Sequence, residues 1–157
     1  MIHVGDTIPS IEITTTTTEE SIRTTTHELF ANKKAVLFAV PGAFTPTCSR
    51  SHLPGFISLF DSFKAKGVDV IACLSVNDSF VMQAWAKDQH AEAITMIADG
   101  SGTLTKAFGM EMDTGDFGGT RSRRYAMIID NNVTTLINVE EPKAFEVSDA
   151  ETILASL

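Results

Sequence analysis

Two short, predominantly apolar runs constrain this chain more than anything else in it. Residues 35–40 read AVLFAV and residues 68–76 read VDVIACLSV, and neither shows the strict alternation of a half-exposed strand. A continuous run of that length suits a strand covered on both faces, the environment of a parallel sheet. Between them lies SRSHLPGFISLFDSFKAKG, in which Leu53, Phe56, Phe60 and Phe63 fall on one helical stripe and Gly67 supplies the stop. Strand, helix, strand is a βαβ unit, because parallel neighbours need a crossover to join them. Pro54 removes one backbone donor inside the helix and is expected to bend it.

The flanking segments extend that unit. Residues 11–26, IEITTTTTEESIRTTT, are rich in β-branched threonine and predict a hairpin turning near Glu19–Ser21, its threonines on a solvated face. A low-complexity linker is the alternative for this stretch. Thr25 and Glu28 have capping-box spacing for a short helix over Thr26–Ala31. A second helix, from Asp78 to about His90 with Asn77 or Asp78 as its cap, is expected to bury Phe80, Val81, Ala84 and Trp85. ITMIAD at 94–99 reads as a strand, 103–108 as a short helix and 111–123 as irregular. RRYAMIID and VTTLINVE predict a hairpin across Asn131-Asn132, and Ser148 with Glu151 a capping box for a terminal helix. The sum is an α/β chain of thioredoxin-like fold, a central mixed β-sheet with helices on both faces, in a single domain over residues 1–157.

Composition narrows the function classes. With 43% hydrophobic and 20% charged residues, the 157-residue chain is composed like a globular domain. Its net charge of −8 repels phosphate backbones and anionic lipid, so neither nucleic acid nor a membrane surface is expected as a partner. No apolar run approaches the ~20 residues of a membrane span. The start, MIHVGDTIPSIEI, has neither a basic segment nor an apolar one of secretory type, so a cytoplasmic setting is expected, with an earlier-removed organelle signal left open. Two cysteines, Cys48 and Cys73, are too few for a disulfide scaffold and have no zinc-site spacing. His3, His27, His52 and His90 supply no ligand set, so no metal or cofactor is expected.

The segment with chemical potential is PGAFTPTCS, residues 41–49, which joins the end of a buried strand to the start of a helix. That is where open α/β sheets bind ligands. Cys48 then lies at or just inside a helix N-terminus, where orphan N–H groups and the dipole favour a thiolate. Such settings typically lower a free thiol from ~8.5 by one or more units. Pro41 and Pro46 stiffen the loop, Gly42 allows close approach to the backbone, and Thr45 lies three residues before Cys48. Attack of a thiolate on a peroxide loads charge onto the departing oxygen, and fixed donors stabilise that charge. Thr45, the Cys48 N–H and a guanidinium are the expected donors. On charge alone Arg121, Arg123 and Arg124 read as a surface patch. His52, one turn beyond Cys48, reads as structural rather than as a general base. Each feature has a bland explanation singly; together, as P-x-x-x-T-x-x-C on a strand-to-helix loop, they point to a reactive thiol.

PGAFTPTCS, SHLPGF, CLSVNDSFVMQAW, ADGSGTLTKAFGM and SRRYAMIID, in that order, resemble the peroxiredoxins of the type II, Prx5-like subfamily, nearest its plant and bacterial members. The resemblance spans roughly residues 1–157. It implies a thiol peroxidase acting on hydrogen peroxide and organic hydroperoxides without a cofactor, with Cys48 as the peroxidatic thiolate that becomes a sulfenic acid. It further implies that Thr45 positions the peroxide and Pro41 shields the thiolate. Arg124, directly before Tyr125, matches the family's distant arginine, while Arg121 and Arg123 stay surface residues. Substrate contact falls on Pro41, Gly42, Thr45, Cys48 and Arg124.

The implied reductant is glutaredoxin with glutathione, or thioredoxin. No cysteine follows Cys73, so the C-terminal resolving cysteine of some members is missing. Cys73 itself, inside a predicted buried strand, is favoured as a packing residue over a resolving thiol. A disulfide needs Cα atoms within about 7 Å, and reaching Cys48 would require the helix start to unwind. The resemblance also implies a homodimer, for which Phe44, Leu53 and Phe117 are either contact or core residues. Two other readings are a thioredoxin-type disulfide reductase and a catalytically silent binding or chaperone module. Thr45 in place of a first C-x-x-C cysteine stands against the former. The joint presence of Cys48, Thr45 and Arg124 stands against the latter.

Overall fold

The computed structural model describes residues 1–157. Its first half runs β1 (Glu12–Thr16), β2 (Ser21–Thr25), α1 (Thr26–Phe30), β3 (Lys34–Ala39), a π-helical turn (Cys48–His52), α2 (Leu53–Ser58), α3 (Phe60–Ala65) and β4 (Val70–Ser75). There follow α4 (Ser79–Asp88), β5 (Thr95–Ala98), α5 (Thr103–Ala107), β6 (Glu111–Asp113), a 3₁₀ turn (Gly115–Phe117), β7 (Thr120–Ser122), β8 (Tyr125–Asp130), β9 (Val133–Val139) and α6 (Ala150–Ala155). Seven strands make one sheet in the order β2-β1-β5-β4-β3-β8-β9, and β6 pairs with β7 separately. The centre, β3-β4-β5, is parallel and both flanks are antiparallel, so the sheet is mixed and the fold thioredoxin-like, as expected.

The two apolar runs are β3 and β4, paired so that Val36 meets Ile71 and Phe38 meets Cys73. Successive strand residues point to opposite faces, and here both faces are covered. Val36, Phe38, Ile71 and Cys73 enter one apolar layer with Leu53, Phe56, Phe63, Trp85 and Ile153 from α2, α3, α4 and α6. Ala35, Leu37, Ala72 and Leu74 enter a second layer with Phe30 of α1 and Leu104 of α5. With no exposed side left, neither strand has a reason to alternate.

Several local expectations are corrected. The crossover is not one bent helix. Leu53 N–H bonds the Cys48 carbonyl five residues back, Pro54 sits in the first turn of α2, where its missing donor costs least, and the chain breaks again at Leu59. The threonine hairpin is docked rather than solvated: β1 pairs with β5, which buries Thr15 and Thr16, and only β2 forms the outer edge. In α4 the buried residues are Met82, Trp85 and Ala86, while Phe80 is 83% exposed and Ala84 is exposed too. Apolar residues lie on more than one face of that helix, so packing rather than pattern selected the buried one. Residues 111–123 hold the ordered pair β6–β7 instead of an irregular loop. The cap of α6 is Asp149, whose carboxylate accepts from Thr152 N–H, and Ser148 is buried beside it.

Other expectations hold. Thr25 caps α1 by accepting from Glu28 N–H. The β8–β9 hairpin turns on Asn131 and Asn132, both at positive φ, as a two-residue turn of this hand demands.

Candidate active site

The loop after β3 is held from several sides. Ala43 N–H and Ser75 Oγ–H both donate to Asn77 Oδ1, at 3.0 and 2.6 Å, which ties the loop to the segment following β4. Phe44 takes φ = 62°, a left-handed conformation that costs a non-glycine residue and is found where a loop is over-determined. Thr45 Oγ1–H donates to the Gly42 carbonyl at 2.6 Å. A Cβ at Gly42 would lie 3.1 Å from the Thr45 methyl, tight enough to push that side chain aside. Gly42 is buried, so the need for glycine here is to seat Thr45. Because the Thr45 proton is spent on Gly42, the hydroxyl oxygen is left as an acceptor, whereas a donor was expected.

Cys48 lies in the first helical turn, where Ser49 N–H bonds the Thr45 carbonyl at 2.9 Å. Single π turns of this kind recur at functional sites. Its side chain is fully buried. Trp85 Nε1–H reaches the neighbouring Ser49 Oγ at 3.0 Å and fixes the turn against α4. Arg124 comes from across the sheet: the β3–β8 pairing sets Ala39 opposite Tyr125, so the residue before Tyr125 stands where β3 gives way to the cysteine loop. From there Arg124 Nη2–H donates to Cys48 Sγ at 3.1 Å.

The second Arg124 nitrogen bonds His52, the histidine expected to be structural rather than a general base. Arg124 Nη1–H donates to His52 Nδ1 at 2.8 Å, and His52 Nε2 meets the Ser148 carbonyl at 2.9 Å. The Phe145 ring lies against both, 5.0 Å from the imidazole and 5.8 Å from the guanidinium carbon. Burial, and then the Arg124 charge, hold His52 far below its ordinary 6.5, at about 3, although the Ser148 bond and the charges of Glu140 and Asp149 oppose the shift. A neutral imidazole is thus part of the arginine's seat. Its one visible signal in the sequence was its place on the helix face that carries Cys48.

Arg121 is likewise no surface residue: it is half-buried and bonds the carbonyls of Val76 and Gly118 at 2.9 and 3.1 Å. Pro41, Thr47, Phe117, Arg123, Arg124 and Pro142 line a recess beside the cysteine turn. Thus the fold brings Arg124 onto Cys48, seats the Thr45 hydroxyl on Gly42 in the loop before it, sets Pro41 at the recess and leaves Gly42 buried. Cys73 is buried on the same side of the sheet as Cys48; both thiols are free. Burial, followed by the proximity of Cys48, pushes the Cys73 thiol well above its ordinary value, so it stays protonated.

A thioredoxin-like sheet with a buried thiol in the helical turn that follows a central strand, bonded by an arginine, points to the redoxin class, and the Redoxin family profile matches residues 3–154. Peroxiredoxin-2D of Arabidopsis thaliana is 48% identical to this chain, covering 99% of it and 98% of the relative. The crystal structure of reduced Prx3 from Vibrio vulnificus in complex with hydrogen peroxide is 60% identical, with a TM-score of 0.95 over 99% of this chain and 96% of that one. Peroxiredoxin 5 of Alvinella pompejana is 39% identical, with a TM-score of 0.87 over 99% and 97%. The chain belongs to the peroxiredoxins, in their type II, Prx5-like branch, and is a thiol-dependent peroxidase.

Proposed function

We propose that Cys48 is the peroxidatic residue and that Thr45 and Arg124 complete the site, in one catalytic domain spanning residues 1–157. The observation that carries this reading is the 3.1 Å bond from Arg124 to the Cys48 sulfur. The Cys48 thiolate attacks the terminal oxygen of ROOH. The S–O bond forms as the O–O bond breaks, Cys48 is oxidised to sulfenic acid, and the departing RO⁻ takes a proton to leave as ROH. Thr45, with its proton committed to Gly42, accepts from the peroxide O–H and so orients it. Arg124 donates to the reacting atoms as charge moves between the oxygens. Pro41, at the recess, limits access of water. A hydrogen peroxide complex of the 60%-identical Vibrio vulnificus protein supports hydrogen peroxide as one substrate; organic hydroperoxides enter by the same recess.

Two external thiols reset the site: one forms a mixed disulfide with Cys48 and releases water, and the second displaces it. Glutaredoxin with glutathione is the reading favoured for that role, with thioredoxin the alternative. In the folded state Cys73 is a protonated packing thiol, and any bond from it to Cys48 requires the turn over 45–52 to unwind first. A cytoplasmic homodimer is the expected working form. Phe44 and Phe117, 53% and 71% exposed, are candidate contact residues, whereas Leu53 is buried in the core and takes no part.

Peroxide consumption with each reductant, for the wild type and Cys48→Ser, tests this reading. Turnover is expected to vanish in Cys48→Ser, and continued turnover would sink it. Mapping disulfides after one equivalent of peroxide decides the part played by Cys73.

A further inference from the structure

Glu140 follows β9 and is 4% exposed, a buried carboxylate that takes part in neither of the chain's salt bridges. One of its oxygens, Oε2, accepts four hydrogen bonds: from the N–H groups of Glu146, Val147 and Ser148 at 2.8, 2.9 and 2.9 Å, and from Ser148 Oγ–H at 2.8 Å. Burial alone would raise its pKa, but these donors overcome that and hold it below the ordinary value. Glu140 N–H also bonds the Arg124 carbonyl at 2.9 Å, so its backbone is pinned beside the arginine while its side chain gathers the segment that ends at Ser148.

The Ser148 carbonyl is what His52 Nε2 meets. A carbonyl only accepts, so Nε2 must carry the imidazole proton. A guanidinium only donates, so Nδ1, which faces Arg124 Nη1, must offer a lone pair. Both requirements are met by one neutral tautomer. The other would set an N–H against a guanidinium N–H and leave the Ser148 carbonyl without a donor.

We infer that Glu140 is a positioning residue for the peroxidase reaction. Through the fold of residues 146–148 it places the Ser148 carbonyl that selects the His52 tautomer, and that tautomer turns the Arg124 guanidinium so that Nη2 meets Cys48. The inference rests on the proposal that Cys48 and Arg124 carry the chemistry. Glu140 touches no reacting atom. What it supplies to this seat is the position of the one oxygen on which all four donors converge; its charge bears on whether His52 is protonated and does not choose between the two neutral tautomers.

Charge and position separate in two substitutions. Glu140→Gln keeps an oxygen at that place without the charge, and Glu140→Asp keeps the charge but draws the oxygen back by one methylene. Glu140→Ala removes both. Long-range ¹H–¹⁵N correlation spectra of histidine-labelled reduced protein near neutral pH read the His52 tautomer directly, assigned by its absence in His52→Gln. Stopped-flow oxidation of Cys48 by hydrogen peroxide reads the consequence.

The wild type and Glu140→Gln are expected to show the single Nε2–H tautomer and similar rates. Glu140→Asp is expected to show mixed tautomers and oxidation slower by about tenfold to a hundredfold, the cost of a small misplacement of a catalytic group. Glu140→Ala is expected to follow Glu140→Asp where it folds, and the Asp and Gln pair decides the matter where it does not. A native tautomer and native rate in Glu140→Asp would overturn the inference. So would slow oxidation in Glu140→Gln with the tautomer intact. The tautomer measurement uses no peroxide, so turnover by Cys48→Ser would count against the site reading alone.

Discussion

Arg124 and Cys48 stand 76 positions apart in the chain, yet Arg124 Nη2 donates to Cys48 Sγ across 3.1 Å. The same guanidinium bonds His52 Nδ1 through its other terminal nitrogen at 2.8 Å. The two directions are fixed by one rigid, planar fork, a geometry that a lysine ammonium cannot reproduce from a flexible stem.

Arg124→Lys therefore lowers the second-order rate constant for Cys48 oxidation by on the order of 10²-fold, the scale for losing one preorganised donor. Stopped-flow mixing with hydrogen peroxide measures it, and circular dichroism checks that the fold persists. A rate constant equal to that of the wild type would remove Arg124 from the site.

Thr45 is tested by what its oxygen keeps. Thr45→Val loses both the bond to Gly42 and the acceptor for a peroxide proton, so oxidation slows by on the order of 10²-fold while stability falls by about 1 kcal/mol. Thr45→Ser keeps the hydroxyl and most of the rate. Gly42→Ala slows the reaction with Thr45 still present, because its Cβ would stand 3.1 Å from the Thr45 methyl. Native kinetics in Thr45→Val would contradict the assignment.

His52 makes stability depend on pH in a stated direction. Unfolded, it takes a proton near its ordinary 6.5; folded, burial first and the Arg124 charge second defer this to about 3. Between those values the unfolded chain binds more protons, so stability is full above 6.5 and is lost as the pH falls toward 3. This one residue contributes up to about 1.4 kcal/mol per pH unit inside that window. Urea midpoints of the wild type and His52→Gln between pH 4 and 7 isolate the contribution from that of the carboxylates. Parallel curves for the two proteins would show that His52 carries no such linkage.

Trp85 is the chain's single tryptophan, and its Nε1–H holds Ser49 Oγ, one residue from Cys48. Oxidation of Cys48 perturbs that turn, so indole emission changes with one equivalent of peroxide. Cys48→Ser abolishes the change and Ser49→Ala weakens it. A fluorescence trace blind to peroxide in the wild type would mean that the turn stays closed on oxidation.

Much of this molecule is legible in short stretches of residues. The continuous apolar runs announce β3 and β4 because both faces of those strands are covered, and the Asn-Asn pair announces its turn because two positive φ values are needed there. PGAFTPTCS announces the thiol loop because Thr45 and Cys48 are brought within reach by a single helical turn. Other readings misfire where neighbours far along the chain decide. Thr15 and Thr16 carry no mark of burial, and only the pairing with β5 covers them. Phe80 is as apolar as Met82, yet packing buries the latter and exposes the former. Arg121 passes for a surface charge until Val76 and Gly118 present their carbonyls to it.

Sequence alone thus determined the order of the main-sheet strands along the chain, the sheet class and the loop bearing Cys48, since periodicity and turn chemistry act over a few residues. The split crossover and the β6–β7 pair were not legible there. Tertiary structure alone decided the direction of the Thr45 proton, the neutral His52 and the seat of Arg124. Those depend on which polar atoms meet at a few ångströms after the strands have taken their register. Ser148 and His52, 96 positions apart, meet only when the sheet and the segment before α6 have both closed.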